Sequence, residues 1–95
     1  MTIQTLQEQR DAVLEVARRH GVTSVRVFGS VARGDDSTES DIDLLVTAGP
    51  EVSPWFPAGL VLDVEEFLGQ HIDVVTEKGL NPLLRDQVLA EAVPL

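Results

Sequence analysis

Apolar residues recur with two different periods along this chain. Over residues 3–20, Leu6, Val13, Val16 and Ala17 return at helical spacing with charged residues between them, which predicts an amphipathic helix. Gly21 stands where a helix-ending glycine would. Residues 23–28, TSVRVF, switch to alternation and β-branching and predict a strand. Val25 and Val27 share one face of it, Arg26 and Phe28 the other. Residues 41–47 predict a second strand, and residues 49–57, with three prolines, a loop. Leu60, Val61, Val64, Phe67 and Leu68 form a helical stripe over residues 58–68, ended by Gly69. HIDVVT, residues 71–76, predicts a third strand. Asn81 and Pro82 suit an N-cap and first helical position, and Leu84, Val88 and Ala92 continue a last helix as far as Pro94.

With a short helical turn at residues 31–34, the predicted order is α-β-α-β-α-β-α. That is an α/β (α+β) pattern: a small mixed three-stranded sheet flanked by helices. The helix between strands two and three is long enough for a crossover, so those strands are expected to be parallel. About a dozen residues join strands one and two, which leaves their pairing open.

Ninety-five residues suit one domain over 1–95. The chain has no cysteine, hence no disulfide framework and no thiolate metal site. No apolar run approaches the ~20 residues of a membrane span. The start, MTIQTLQEQRDAVLEV, lacks the basic and apolar pattern of a secretory signal, so a cytoplasmic protein with no membrane partner is expected. The net charge of −9, with Arg18–Arg19 as the one adjacent basic pair, argues against direct nucleic-acid binding. It suits bound cations or a basic partner instead.

Charge also marks the chemistry. Residues two apart in a strand face the same way, ~6.7 Å apart. Asp41 and Asp43 therefore share a face, while Ile42, Leu44 and Val46 take the other. In the third strand Asp73 and Val75 share one face, Ile72 and Val74 the other. If these strands are parallel neighbours, Asp41, Asp43 and Asp73 converge at one end of one face. Clustered carboxylates raise one another's pKa. Hard divalent cations, Mg²⁺ or Mn²⁺, relieve that, and two such ions can clamp an in-line displacement at phosphorus. Gly29 and Ser30 end the first strand and open a short helix, where a close backbone and free N–H groups suit phosphate. An antiparallel first strand would set them against Asp41 and Asp43.

Gly29-Ser30, ten residues, Asp41-Ile42-Asp43 and a later Asp73 together resemble the signature of the nucleotidyltransferase superfamily typified by DNA polymerase beta. More narrowly, GSVARGDDSTESDIDLLV and the tail IDVVTEKGLNPLLRDQVLAEAVPL are similar to the minimal nucleotidyltransferase (MNT) group, often antitoxins paired with HEPN-domain toxins. The resemblance implies the nucleotidyltransferase fold. It also implies Mg²⁺-dependent transfer of AMP from ATP to a hydroxyl of a HEPN RNase toxin, a tyrosine in members of the group, with pyrophosphate released. Asp41 and Asp43 match the residues that hold both metals, and Asp73 the third acid. Gly29 and Ser30 match residues that contact the triphosphate. The chain has no tyrosine of its own, which fits modification in trans.

The plainer readings stand beside these. The aspartates could be a solvated strand start, and Gly29-Ser30 a strand-to-helix turn. Arg33 is a candidate for phosphate or a partner against a solvated arginine. Asp35, Asp36, Glu39 and Ser40 read as loop polarity, with Ser40 able to cap or orient Asp41. Trp55 and Phe56 pack their loop down or anchor a partner. His20 and His71 read as structural. DDSTESD lacks the glycine and distal glutamate of an EF-hand. Two rival functions remain: an antitoxin that masks its toxin without catalysis, and a small-molecule nucleotidyltransferase completed by a helical partner. Base preference and oligomeric state, a homo-oligomer included, stay open.

Overall fold

The computed structural model describes residues 2–34, 41–50, 52 and 55–95. Asp35, Asp36, Glu39 and Ser40 lie outside the described residues. The expected helix over residues 3–20 is two helices, α1 (Ile3–Glu8) and α2 (Arg10–Arg19). Thr2 caps α1 through its hydroxyl, which accepts from the Thr5 N–H at 3.1 Å. The break falls at Gln9, whose N–H turns back to the Leu6 carbonyl at 3.0 Å. A continuous helix would set Gln9 and Arg10 three and four residues beyond buried Leu6, on the core stripe. Breaking there keeps them exposed while Leu6, Val13 and Ala17 stay buried.

Strand β1 (Val22–Phe28) leads into the short helix α3 (Gly29–Arg33), which starts earlier than the predicted turn. Strand β2 (Ile42–Ala48) runs antiparallel to β1, with Phe28 opposite Asp43 and Val25 opposite Val46. Helix α4 (Ala58–Leu68) then crosses to β3 (Ile72–Thr76), parallel to β2 as expected, with Ile42 beside Ile72 and Asp43 beside Asp73. A 3₁₀ turn, Glu77–Gly79, precedes α5 (Pro82–Glu91), whose N-cap is Asn81 as predicted.

The sheet has four strands where three were expected, in the order β3-β2-β1-β4. The addition is β4 (Val93–Pro94), which pairs antiparallel with Arg26 and Val27 of β1. Helix α5 therefore stops at Glu91, short of the predicted Pro94. The residue before a proline is pushed to extended backbone. Pro94 lacks an N–H but sits on an edge strand, where none is needed on the open side. Leu95 follows with its N–H on the Val25 carbonyl at 3.1 Å and its side chain 7% exposed.

Val25, Val27, Ile42, Leu44, Val46 and Ile72 face one side of the sheet and pack with Leu6, Val13, Ala17, Leu60 and Val64 of the helices. Leu45 is buried but stands apart from that cluster, on the face that carries Asp43 and Asp73. Phe56 packs against the core, whereas Trp55 is 78% exposed. The packed-down reading of the loop thus holds for Phe56 and fails for Trp55. Among the described residues, no helix is long and apolar enough to cross a membrane.

Candidate active site

The end of β1, the start of β2 and the start of β3 meet at one end of the sheet. β2 begins at Ile42, so Asp41 lies one residue before it and is exposed. Asp43 is half-buried, and Asp73 is its register partner across the parallel pair. The strand alternation that predicted a shared face for these two acids is what the register delivers.

Gly29 completes the corner. Its φ is +74°, a left-handed backbone that disfavours any side chain. A Cβ built there would stand 2.3 Å from Asp43 Oδ2 and 3.2 Å from its Cγ. The backbone of Gly29 is thus pressed against the Asp43 carboxylate. Ser30 follows in the first turn of α3, where backbone N–H groups lack intrahelical acceptors. Gly34 ends the helix, again left-handed, at φ +78°.

The electrostatics of the corner are strained. Burial pushes the Asp43 carboxyl above its ordinary pKa, Asp73 and Asp41 push the same way, and Arg33 opposes them. Arg33 also donates to Glu91 Oε1 at 3.0 Å, which ties α3 to α5. It acts on the acids while held by another carboxylate. The histidines are tied to helix α4, in keeping with structural roles: His20 Nε2 lies 2.6 Å from Asp63 Oδ2, and His71 Nδ1 3.2 Å from Glu65 Oε2.

Among the described residues, no three His, Cys, Asp or Glu side chains are gathered into a ready-made metal site. The donor chemistry of the corner nonetheless fits a hard divalent cation. It offers carboxylate oxygens whose mutual repulsion, visible at Asp43, an added positive charge would relieve.

One participant escaped sequence reasoning. Glu65, in the last turn of α4, accepts the Ile72 N–H at 3.0 Å, next to Asp73. Its signal was its place: a carboxylate near a helix C-terminus opposes the helix dipole, so a compensating partner is expected.

Residues 10–95 match the family model for the nucleotidyltransferase domain. The chain belongs to the nucleotidyltransferase domain family. It is 38% identical over 88 residues, 93% of this chain and 95% of the other, to the "Putative protein adenylyltransferase MJ0435" of Methanocaldococcus jannaschii. A solved structure named "Structure of putative minimal nucleotidyltransferase" is 49% identical with a TM-score of 0.86, covering 100% of this chain and 97% of that one. A tri-AMPylated Shewanella oneidensis HEPN toxin in complex with MNT antitoxin contains a chain of the same fold. There the identity is 19% and the TM-score 0.69, over 93% of this chain and 69% of that one. The nucleotidyltransferase recognised from Gly29-Ser30, Asp41-x-Asp43 and Asp73 is therefore the family of this chain, and the protein is an enzyme of that class.

Proposed function

We propose that this nucleotidyltransferase, acting as a single domain over residues 1–95, is a cytoplasmic antitoxin that transfers AMP from ATP to a hydroxyl of a HEPN-type RNase toxin. The observation that carries the reading is the corner itself: Asp43 and Asp73 in register, Asp41 two residues away, and Gly29 packed on Asp43. Acids and a phosphate cradle in direct contact suit a metal-bound triphosphate. The kinship supports the finer terms, through a relative named for protein adenylyl transfer and a fold neighbour that accompanies an AMPylated HEPN toxin.

In this reading Asp41, Asp43 and Asp73 would hold two Mg²⁺ ions, with Mn²⁺ as a substitute. Bound there, such ions would supply charge neutralisation for transfer at phosphorus. Gly29 lets the backbone approach the triphosphate, and Ser30 offers its N–H and hydroxyl. Arg33 adds positive charge on the phosphate side. Asp73 also favours loss of the proton from the acceptor hydroxyl. The acceptor oxygen bonds to the α-phosphorus as the bond to pyrophosphate breaks, and AMP stays on the toxin. Positioning and charge neutralisation supply most of the acceleration. The net charge of −9 suits a basic protein partner.

The test is incubation of the protein with α-labelled ATP, Mg²⁺ and its toxin. Label on the toxin, lost in the Asp41→Asn/Asp43→Asn variant, is the expected result. An unlabelled toxin that this variant still inhibits would establish neutralisation by binding alone.

A further inference from the structure

Asp73 lies on β3, the outermost strand of the sheet, and nothing in the ladder holds its outer side. The Ile42 N–H donates to the His71 carbonyl at 3.1 Å, so His71 turns its backbone groups toward β2. Successive residues of a strand turn theirs to opposite sides. The Ile72 N–H therefore points to the free edge, where an unpaired donor would leave the strand's first peptide loosely held. Glu65 takes it: Oε2 accepts the Ile72 N–H at 3.0 Å.

The same oxygen is 3.2 Å from His71 Nδ1. The Glu65 backbone carbonyl meanwhile accepts the Gly69 N–H at 2.8 Å and closes α4. One residue thus fastens the end of α4 with its main chain and the start of β3 with its side chain. The connection between them is clamped at both ends. Ile72 is buried in the core on the opposite face, so fixing its peptide fixes the base from which Asp73 projects beside Asp43.

The groups that perturb Asp43 are Asp73, Asp41 and Arg33. A carboxylate in the last turn of a helix is opposed by the helix dipole, so the contribution of Glu65 lies in the hydrogen bond it makes to the Ile72 N–H. We propose that Glu65 is a positioning residue: by holding the Ile72 amide it sets Asp73 in place for metal binding and adenylyl transfer. This rests on the function proposed above.

The test uses the full chain and the variants Glu65→Ala, Glu65→Gln and Glu65→Asp. Three quantities are read: exchange of the Ile72 amide by NMR, Mn²⁺ affinity by EPR titration, and kcat and KM for ATP in labelling of the toxin. Outer hydrogen bonds of this kind typically set ~10-fold or more in metal affinity or activity. Glu65→Ala should speed Ile72 exchange, weaken Mn²⁺ binding and lower kcat by about that factor, with KM for ATP within about twofold. Glu65→Gln keeps an oxygen acceptor and should stay near wild type. Glu65→Asp, one methylene short, should behave like alanine and covers the case of an unfolded alanine variant. Wild-type Mn²⁺ affinity in Glu65→Asp, or a loss in Glu65→Gln as large as in Glu65→Asp, overturns the proposal. If wild type labels no toxin, the adenylyl-transfer reading falls, and the Mn²⁺ comparison of Gln with Asp still decides the role of Glu65.

Discussion

Gly29 and Asp43 are built against each other: a Cβ added at Gly29 would stand 2.3 Å from Asp43 Oδ2. Gly29→Ala would suffer twice, from the clash and from a φ of +74°. Gly34 separates the two effects. Its φ is +78°, but nothing lies within 4 Å of a Cβ there. Both alanine variants should lose ~1–2 kcal/mol from the left-handed backbone. Only Gly29→Ala should also lose adenylyl transfer, by at least tenfold as an order of magnitude. Urea unfolding and toxin labelling read these separately. Equal loss of transfer in both variants would mean that Gly29 serves the turn alone.

The pKa of Asp43 gives a prediction with a definite sign. Burial and the neighbouring acids raise it above its ordinary 3.8 in the folded chain. Between the unfolded and folded values the native state holds the extra proton, so stability falls as pH rises through that window. Above it the full penalty persists. Asp43→Asn removes the penalty and should therefore raise the urea midpoint at neutral pH. The gain should fade when both chains are measured in acid below the ordinary carboxylate range. The same variant should lose toxin labelling. Mg²⁺ should raise the midpoint of wild type and leave that of Asp43→Asn nearly unmoved. A destabilised asparagine variant at neutral pH would contradict this account.

These two residues also show how much the sequence disclosed. The shared face of Asp43 and Asp73 was legible because strand parity is rigid and both strands carry unbroken apolar runs on the opposite face. The closeness of Gly29 to Asp43 followed once β1 and β2 were antiparallel, a pairing that loop length alone left open. Gln9 was hidden because its polar character fits both a helix surface and a break; only the core stripe decides. β4 was invisible because its two residues have no periodicity, and its place comes from Val93–Pro94 meeting an unpaired stretch of β1. Trp55 and Phe56 were not separable because composition does not tell which of two adjacent aromatics finds the core. Glu65 needed the register of β3 before its carboxylate had a donor to meet.

The last residues of the chain should matter for stability rather than chemistry. Leu95 is 7% exposed and belongs to the main apolar cluster, and its N–H closes on Val25. Leu95→Ala should cost ~2–3 kcal/mol, the lower part of the range for buried leucine truncations, because the site lies at the edge of the core where neighbours can relax. Thermal unfolding would show it as a lower midpoint. Toxin labelling per folded molecule, measured well below that midpoint, should stay at wild-type level. A change in the rate for folded protein would link this edge to the site through α3 and α5.

Arg33 is poised between two tasks, and its partner on α5 can tell them apart. Its Nη1 meets Glu91 Oε1 at 3.0 Å, yet it also lowers the pKa of Asp43. If the guanidinium serves phosphate, removing it raises KM for ATP, whereas removing Glu91 leaves the charge in place. Arg33→Ala should therefore raise KM by tenfold or more, about 1.5–3 kcal/mol for one lost charge-assisted contact. Glu91→Gln should leave KM unchanged. If Arg33 only ties α3 to α5, both variants break the same ion pair, and KM and stability should shift in parallel. Urea midpoints and KM for the two single variants and the double variant distinguish these outcomes. Additive effects on KM with a shared effect on stability assign Arg33 to the nucleotide, and coupled effects on both assign it to the helix pair.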